Sequence, residues 1–130
     1  MPMGVQQIAA ISLMVISIVV ALFQFALALG APWGQWAFGG QNPGRLPTRL
    51  RVTSALSLVV YIAQFWFFGI QAHVLTDFLS PVFSAWVSWT FVGLFALGTL
   101  MNAVSRSIRE RALWTPIVAL SLICAVMVAL

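Results

Sequence analysis

The six cationic side chains are all arginine and fall in two clusters, Arg45, Arg49 and Arg51, then Arg106, Arg109 and Arg111. The chemistry open to them is anion holding, because a guanidinium offers a planar fork of donors that matches a phosphate oxygen pair. The chain carries only two acids against them, Asp77 and Glu110. Glu110 stands inside the second cluster, in Ser107-x-x-Glu110, the form of a capping box, and is expected to cap a helix start and pair locally. His73 and Asp77 stand four apart, but they supply two ligands where a metal takes three or four, so a solvated loop is expected. Cys124 is the single cysteine and reads as a small packing residue. There is no H-E-x-x-H, C-x-x-C, G-x-S-x-G or P-loop, and one histidine with two acids is a thin inventory for acid–base work. No catalytic residue, cofactor or metal is expected.

Two amides stand out against the apolar background. Gln24 and Gln64 lie deep in hydrocarbon-like runs, where an unpaired amide costs several kcal/mol. They are expected either to bond to each other between the first two helices or to form the polar spot of a cavity lined by Trp66, Trp86 and Trp89.

The background itself is decisive. At 62% hydrophobic and 6% charged, the chain is far from the roughly 25% charged residues of a soluble domain. Its solvent is lipid. Four apolar runs of about 20 residues, the length that spans a bilayer, account for most of the 130 residues as one transmembrane domain. Met1 to Gln7 has no positive n-region and the first run exceeds an h-region, so no signal peptide is expected. A net charge of +4 without soluble surface argues for lipid headgroups and against nucleic acid.

Helices are expected at about 5–29, 47–70, 81–104 and 108–130, with loops at 30–46, 71–80 and 105–107. Gly30 fits a C′ position and Pro32 stops the first helix. The loop that follows is glycine-rich, yet Trp33, Trp36 and Phe38 make it a folded lip at headgroup level. Pro47 opens the second helix, with Arg49 and Arg51 against its dipole at about 0.3–1 kcal/mol each. Ser80-Pro81 reads as N-cap and N1 of the third helix. Ser107 caps the fourth, which keeps Pro116 inside as a kink, since starting at Pro116 would leave it too short to span.

All six arginines lie in or beside the loops joining helices one to two and three to four, and none lies on the opposite side. Positive loops mark the cytoplasmic face. The expected fold is therefore an all-α, up-down-up-down antiparallel bundle with both termini extracytoplasmic. Trp33, Trp36 and Trp114 would form its inner aromatic belt. Arg45-x3-Arg49-x-Arg51 and Arg106-x2-Arg109-x-Arg111 echo one another, as duplication or a shared topological need would produce.

Two stretches carry a resemblance. Gly30-Ala31-Pro32-Trp33-Gly34, Gly39-Gly40, Pro43-Gly44 and Leu46-Pro47 form the first, and Asn102, Ser105-Arg106-Ser107, Glu110-Arg111, Trp114 and Pro116 the second. Together the chain resembles small four-helix bacterial integral membrane proteins of unknown function. The resemblance implies a multi-pass protein of the bacterial inner membrane and brings no activity with it. Small multidrug transporters are disfavoured because the first helix lacks a membrane-embedded glutamate, and fluoride channels because it lacks their glycine and arginine pattern.

The function expected is non-enzymatic binding of an anionic lipid headgroup, or of a membrane partner, through a cytoplasmic rim of all six arginines. An oligomeric channel or small-solute transporter, built from further copies of the chain, is the alternative. A lipid-modifying enzyme is the third.

Overall fold

A computed structural model of the chain describes residues 4–130; the part of the N-terminal expectation that rests on residues 1–3 lies outside them. The described residues form four long helices, α1 (Val5–Leu29), α2 (Thr48–Gln71), α3 (Pro81–Ala103) and α4 (Ile108–Ala129). Each is long and apolar enough to cross a membrane. Their outward faces are apolar too: Leu22, Leu56, Trp86 and Leu97 are all more than half exposed. Such a surface suits lipid and not water.

The helix ends follow local chemistry. Gly30 takes φ +102°. Its N–H donates to Leu27 O (3.1 Å) and that of Ala31 to Ala26 O (3.0 Å), a glycine-closed end with Pro32 just beyond. Ser80 Oγ accepts from Phe83 N–H at the start of α3, with Pro81 at N1. Pro116 lies within α4. Pro47 corrects an expectation: it is the extended N-cap of α2 and not its first helical residue.

Backbones pack closely between α1 and α2, α3 and α4, and α1 and α4. The α1–α2 seam is tied at three levels. Gln7 Nε2 donates to Ala72 O (2.8 Å), Gln64 Nε2 to Ser17 Oγ (2.7 Å) and Arg51 Nε to Ala28 O (3.1 Å). The core shared by α1 and α4 uses small residues, Ala9, Cys124 and Ala125, and Ser121 of α4 is buried as well. In lipid, close approach of backbones replaces the hydrophobic drive, and small side chains permit it. The backbones of α2 and α3 stay apart. Their ring-to-ring link is an aromatic cluster, Phe67 and Phe68 against Phe91, with centroids 5.7 and 5.2 Å away.

The loop between α1 and α2 is folded. Two short 3₁₀ turns, Gly34–Trp36 and Phe38–Gly40, carry Ala37 into a small core with Leu27 and Leu46. Gly34 N–H donates to Gly44 O (2.8 Å), closing the loop on itself.

Candidate functional site

The loop ends of the two hairpins meet. Ser107 Oγ donates to Gln35 O (2.6 Å), Gly39 N–H donates to Glu110 Oε2 (2.8 Å) and Trp114 Nε1 donates to Trp36 O (2.8 Å). These three bonds join segments more than 70 positions apart and bring both arginine clusters to one end of the molecule. Ser107 also accepts from Glu110 N–H (3.2 Å), half of a capping box. The other half is a correction. The Glu110 carboxylate does not reach back to its own helix but takes the Gly39 amide, in a turn where Phe38, Gly39 and Gly40 all have positive φ. Glycine takes that conformation freely; Phe38, at φ +50°, is held there by its surroundings.

The six arginines do not share one role. Arg51 Nε donates to Ala28 O and Arg111 donates to Ser105 O (2.9 Å). Arg51 thereby places a cation where α1 ends and its carbonyls carry partial negative charge, and Arg111 binds a loop carbonyl two residues past the end of α3. That compensates the mismatch expected for Arg51 at the start of α2, and it gives the sequence echo a structural cause. Arg45 lies across the same α1 end, so close that a Cβ on Gly30 would come within 2.8 Å of its Nε. The Arg109 guanidinium lies 5.8 Å from the centroid of the Trp36 ring. All but Arg51 are exposed, and among the described residues Arg49 and Arg106 make neither a hydrogen bond nor a ring contact.

Beneath this end lies a cavity of about 390 Å³ among all four helices, roofed by Trp36, Ala37 and Phe38. Its wall on α4 runs from Glu110 to Ser121, roughly 16 Å at 1.5 Å per residue. Most of the lining is apolar, with Phe23, Phe91, Phe95 and Ile117 prominent, and the polar groups are few: Gln24, Tyr61, Gln64, Asn102, Glu110 and Ser121.

Both expected amides line this cavity, but they do not bond to each other. Gln64, 3% exposed, donates to Ser17 Oγ, whose own hydroxyl donates to Leu13 O (2.7 Å). Gln24 Oε1 is buried without a partner. The tryptophans expected as walls are elsewhere: Trp66, Trp86 and Trp89 are 54%, 73% and 48% exposed and face outward. Lipid makes the outer face as hospitable to an indole as the inner one, so their spacing could not say which face they took. The indoles that do line it are Trp36 and Trp114, expected only as a headgroup belt, and Tyr61 lines it too, overlooked although it is the one tyrosine of the chain. Phe23 joins them, 4.7 Å from Trp114 edge-on and 6.1 Å from Trp33 in a stack.

His73 and Asp77 lie on the short loop at the other end of the molecule. His73 is exposed and the Asp77 carboxylate accepts from Leu79 N–H (3.0 Å). Among the described residues no three His, Cys, Asp or Glu side chains gather as metal ligands would. Set against protein-family models, curated proteins and solved structures, the chain matches none of them.

Proposed function

We propose that the chain is a non-enzymatic, multi-pass protein of the bacterial inner membrane that holds anionic lipid headgroups on its arginine-bearing end. In this reading the bundle runs up-down-up-down, with the arginines at the cytoplasmic face and both termini outside. The observation that carries it is the clasp of three hydrogen bonds between the two loop ends, which gathers cations from both hairpins around a single internal carboxylate that is already engaged. Arg45, Arg49 and Arg106 are exposed and make no hydrogen bond among the described residues; Arg45 lies against the end of α1, which leaves Arg49 and Arg106 as the natural headgroup contacts. Each contributes about 1 kcal/mol near an anionic surface.

The threading predicts that alkaline phosphatase fused after Leu130 is active and that a green fluorescent protein there is dark. The reverse pattern overturns the orientation. For binding, the protein extracted in polymer nanodiscs should carry phosphatidylglycerol enriched over phosphatidylethanolamine relative to the bulk membrane. Arg49→Ala with Arg106→Ala should lower that enrichment severalfold without lowering thermal stability, because neither side chain ties the fold. Unchanged enrichment leaves the arginines to topology alone. Ion or solute flux from liposomes holding the purified protein would point instead to an oligomeric channel.

A further inference from the structure

The cavity makes a second site, independent of the arginine end. We infer that it binds a single-chain, uncharged amphiphile, of the class of a long-chain alcohol or primary amide, which enters sideways from the bilayer between α2 and α3.

The entrance follows from the packing. The backbones of α2 and α3 do not approach closely, and the Phe67, Phe68 and Phe91 cluster bridges them. Toward the loop end from that bridge, Val60 on α2 and Leu94 on α3 both line the cavity and are 53% and 52% exposed. A residue that faces both the cavity and the outside marks an opening, and here the outside is hydrocarbon. The roof of Trp36, Ala37 and Phe38 covers the loop end, so the side is the open approach for an apolar molecule.

The chemical class follows from the lining. At 390 Å³ the cavity is within the usual span of small-molecule sites, about 300–1,000 Å³. A plain hydrocarbon chain would satisfy its walls but not Gln24, whose Oε1 is buried with no donor. The last torsion of a glutamine is soft, so a small turn presents its oxygen or its NH₂ to the cavity. Tyr61 and Gln64 line the same space. A guest that both donates and accepts completes this set, which a pure acceptor such as an ester does not. Charge is disfavoured by depth: beside Gln24, Tyr61 and Gln64 an ion loses its hydration and finds neutral partners, and Glu110, the one carboxylate of the lining, is engaged by Gly39 N–H.

The test uses two photoactivatable probes in liposomes containing the full chain, a dodecanol and a dodecane, each carrying a mid-chain diazirine. The adducts are mapped by peptide mass spectrometry. The alcohol should label cavity-lining positions such as Phe91, Leu94 and Ile117 roughly threefold to tenfold more than the alkane does, the range expected of one net hydrogen bond. Gln24→Leu should erase that difference. Leu94→Trp, which fills the opening and leaves the amide intact, should reduce cavity labelling by both probes while labelling beside Trp86 persists. Equal labelling by the two probes, indifference to Gln24→Leu, or adducts confined to outward-facing residues would each overturn the inference. Loss of phosphatidylglycerol enrichment in the arginine variant bears only on the headgroup site, so the two fail separately.

Discussion

Gly34→Ala should open the folded loop between α1 and α2 while leaving the four helices in place. Gly34 approaches the returning chain so closely that a Cβ would overlap Asn42 O and lie 2.7 Å from Gly44 O. Both are backbone atoms, fixed by the loop itself, and neither can swing aside as a side-chain tip would. The alanine therefore forces the two limbs apart, breaking the Gly34–Gly44 bond and withdrawing Leu46 from Leu27 and Ala37. One lost hydrogen bond and one overpacked contact together cost about 2–4 kcal/mol. Hydrogen exchange reads this directly: amides of Gly34, Ala37 and Gly40 should exchange roughly 30- to 1,000-fold faster. Gly44→Ala is the control. Gly44 has φ +83° but nothing within 4 Å of a new Cβ, so the substitution carries only left-handed strain of about 1–2 kcal/mol. An effect at Gly44 as large as that at Gly34 would show that conformation, not close approach, holds the loop.

The same loop separates what sequence can and cannot disclose. The helix boundaries are local chemistry: Gly30 and Pro32 end α1, Ser80 with Pro81 starts α3 and Ser107 starts α4, and each acts close to its own position. Helix ends differ from expectation by a residue, as fraying ends do. The buried amides were legible for a different reason, because Gln24 and Gln64 cannot face hydrocarbon unpaired. What joins the loop to α4 was not legible. The bond from Gly39 to Glu110 crosses 71 positions, and nothing in Ser107-x-x-Glu110 says that its carboxylate serves another segment. The indoles show the deeper limit. In water an aromatic stripe points inward because the outside repels it. In lipid that asymmetry vanishes, so Trp86 faces out and Trp36 roofs the cavity although both are equally apolar.

The arginine clusters show how one residue type divides its labour. Arg51 holds a carbonyl at the end of α1 and Arg111 one in the loop just beyond α3, so the echo between the clusters has a cause that needs no ligand. Arg109 is committed to Trp36, which roofs the cavity. Removing the cations indiscriminately would mix headgroup binding with loss of structure. Arg49 and Arg106 are the pair that separates them.

Phe68→Ala should be the most damaging single truncation in the membrane-spanning region. Phe68 is 0% exposed and packs on Phe67 and Phe91, with centroids 5.1 and 5.2 Å away. In water-soluble cores Phe→Ala costs roughly 3–5 kcal/mol, part for returning apolar surface to water and part for the cavity left behind. In lipid the first part shrinks, because a separated helix meets acyl chains and not water. The second part survives, since a void inside the bundle forfeits dispersion contacts that lipid cannot refill. A loss of about 2 kcal/mol or more is expected on this basis. Unfolding by sodium dodecyl sulfate titrated into mild-detergent micelles, followed by circular dichroism, measures it. Trp86→Ala removes a larger ring that is 73% exposed, and should stay within about 0.5 kcal/mol of the parent. The location of the loss adds a second check. Because α2 and α3 rely on this ring cluster for their contact, a spin-label pair on Val60 and Leu94 should report a longer and broader distance in Phe68→Ala. An unchanged distance alongside a large stability loss would mean that the loop ends, and not the aromatic bridge, set the spacing of α2 and α3.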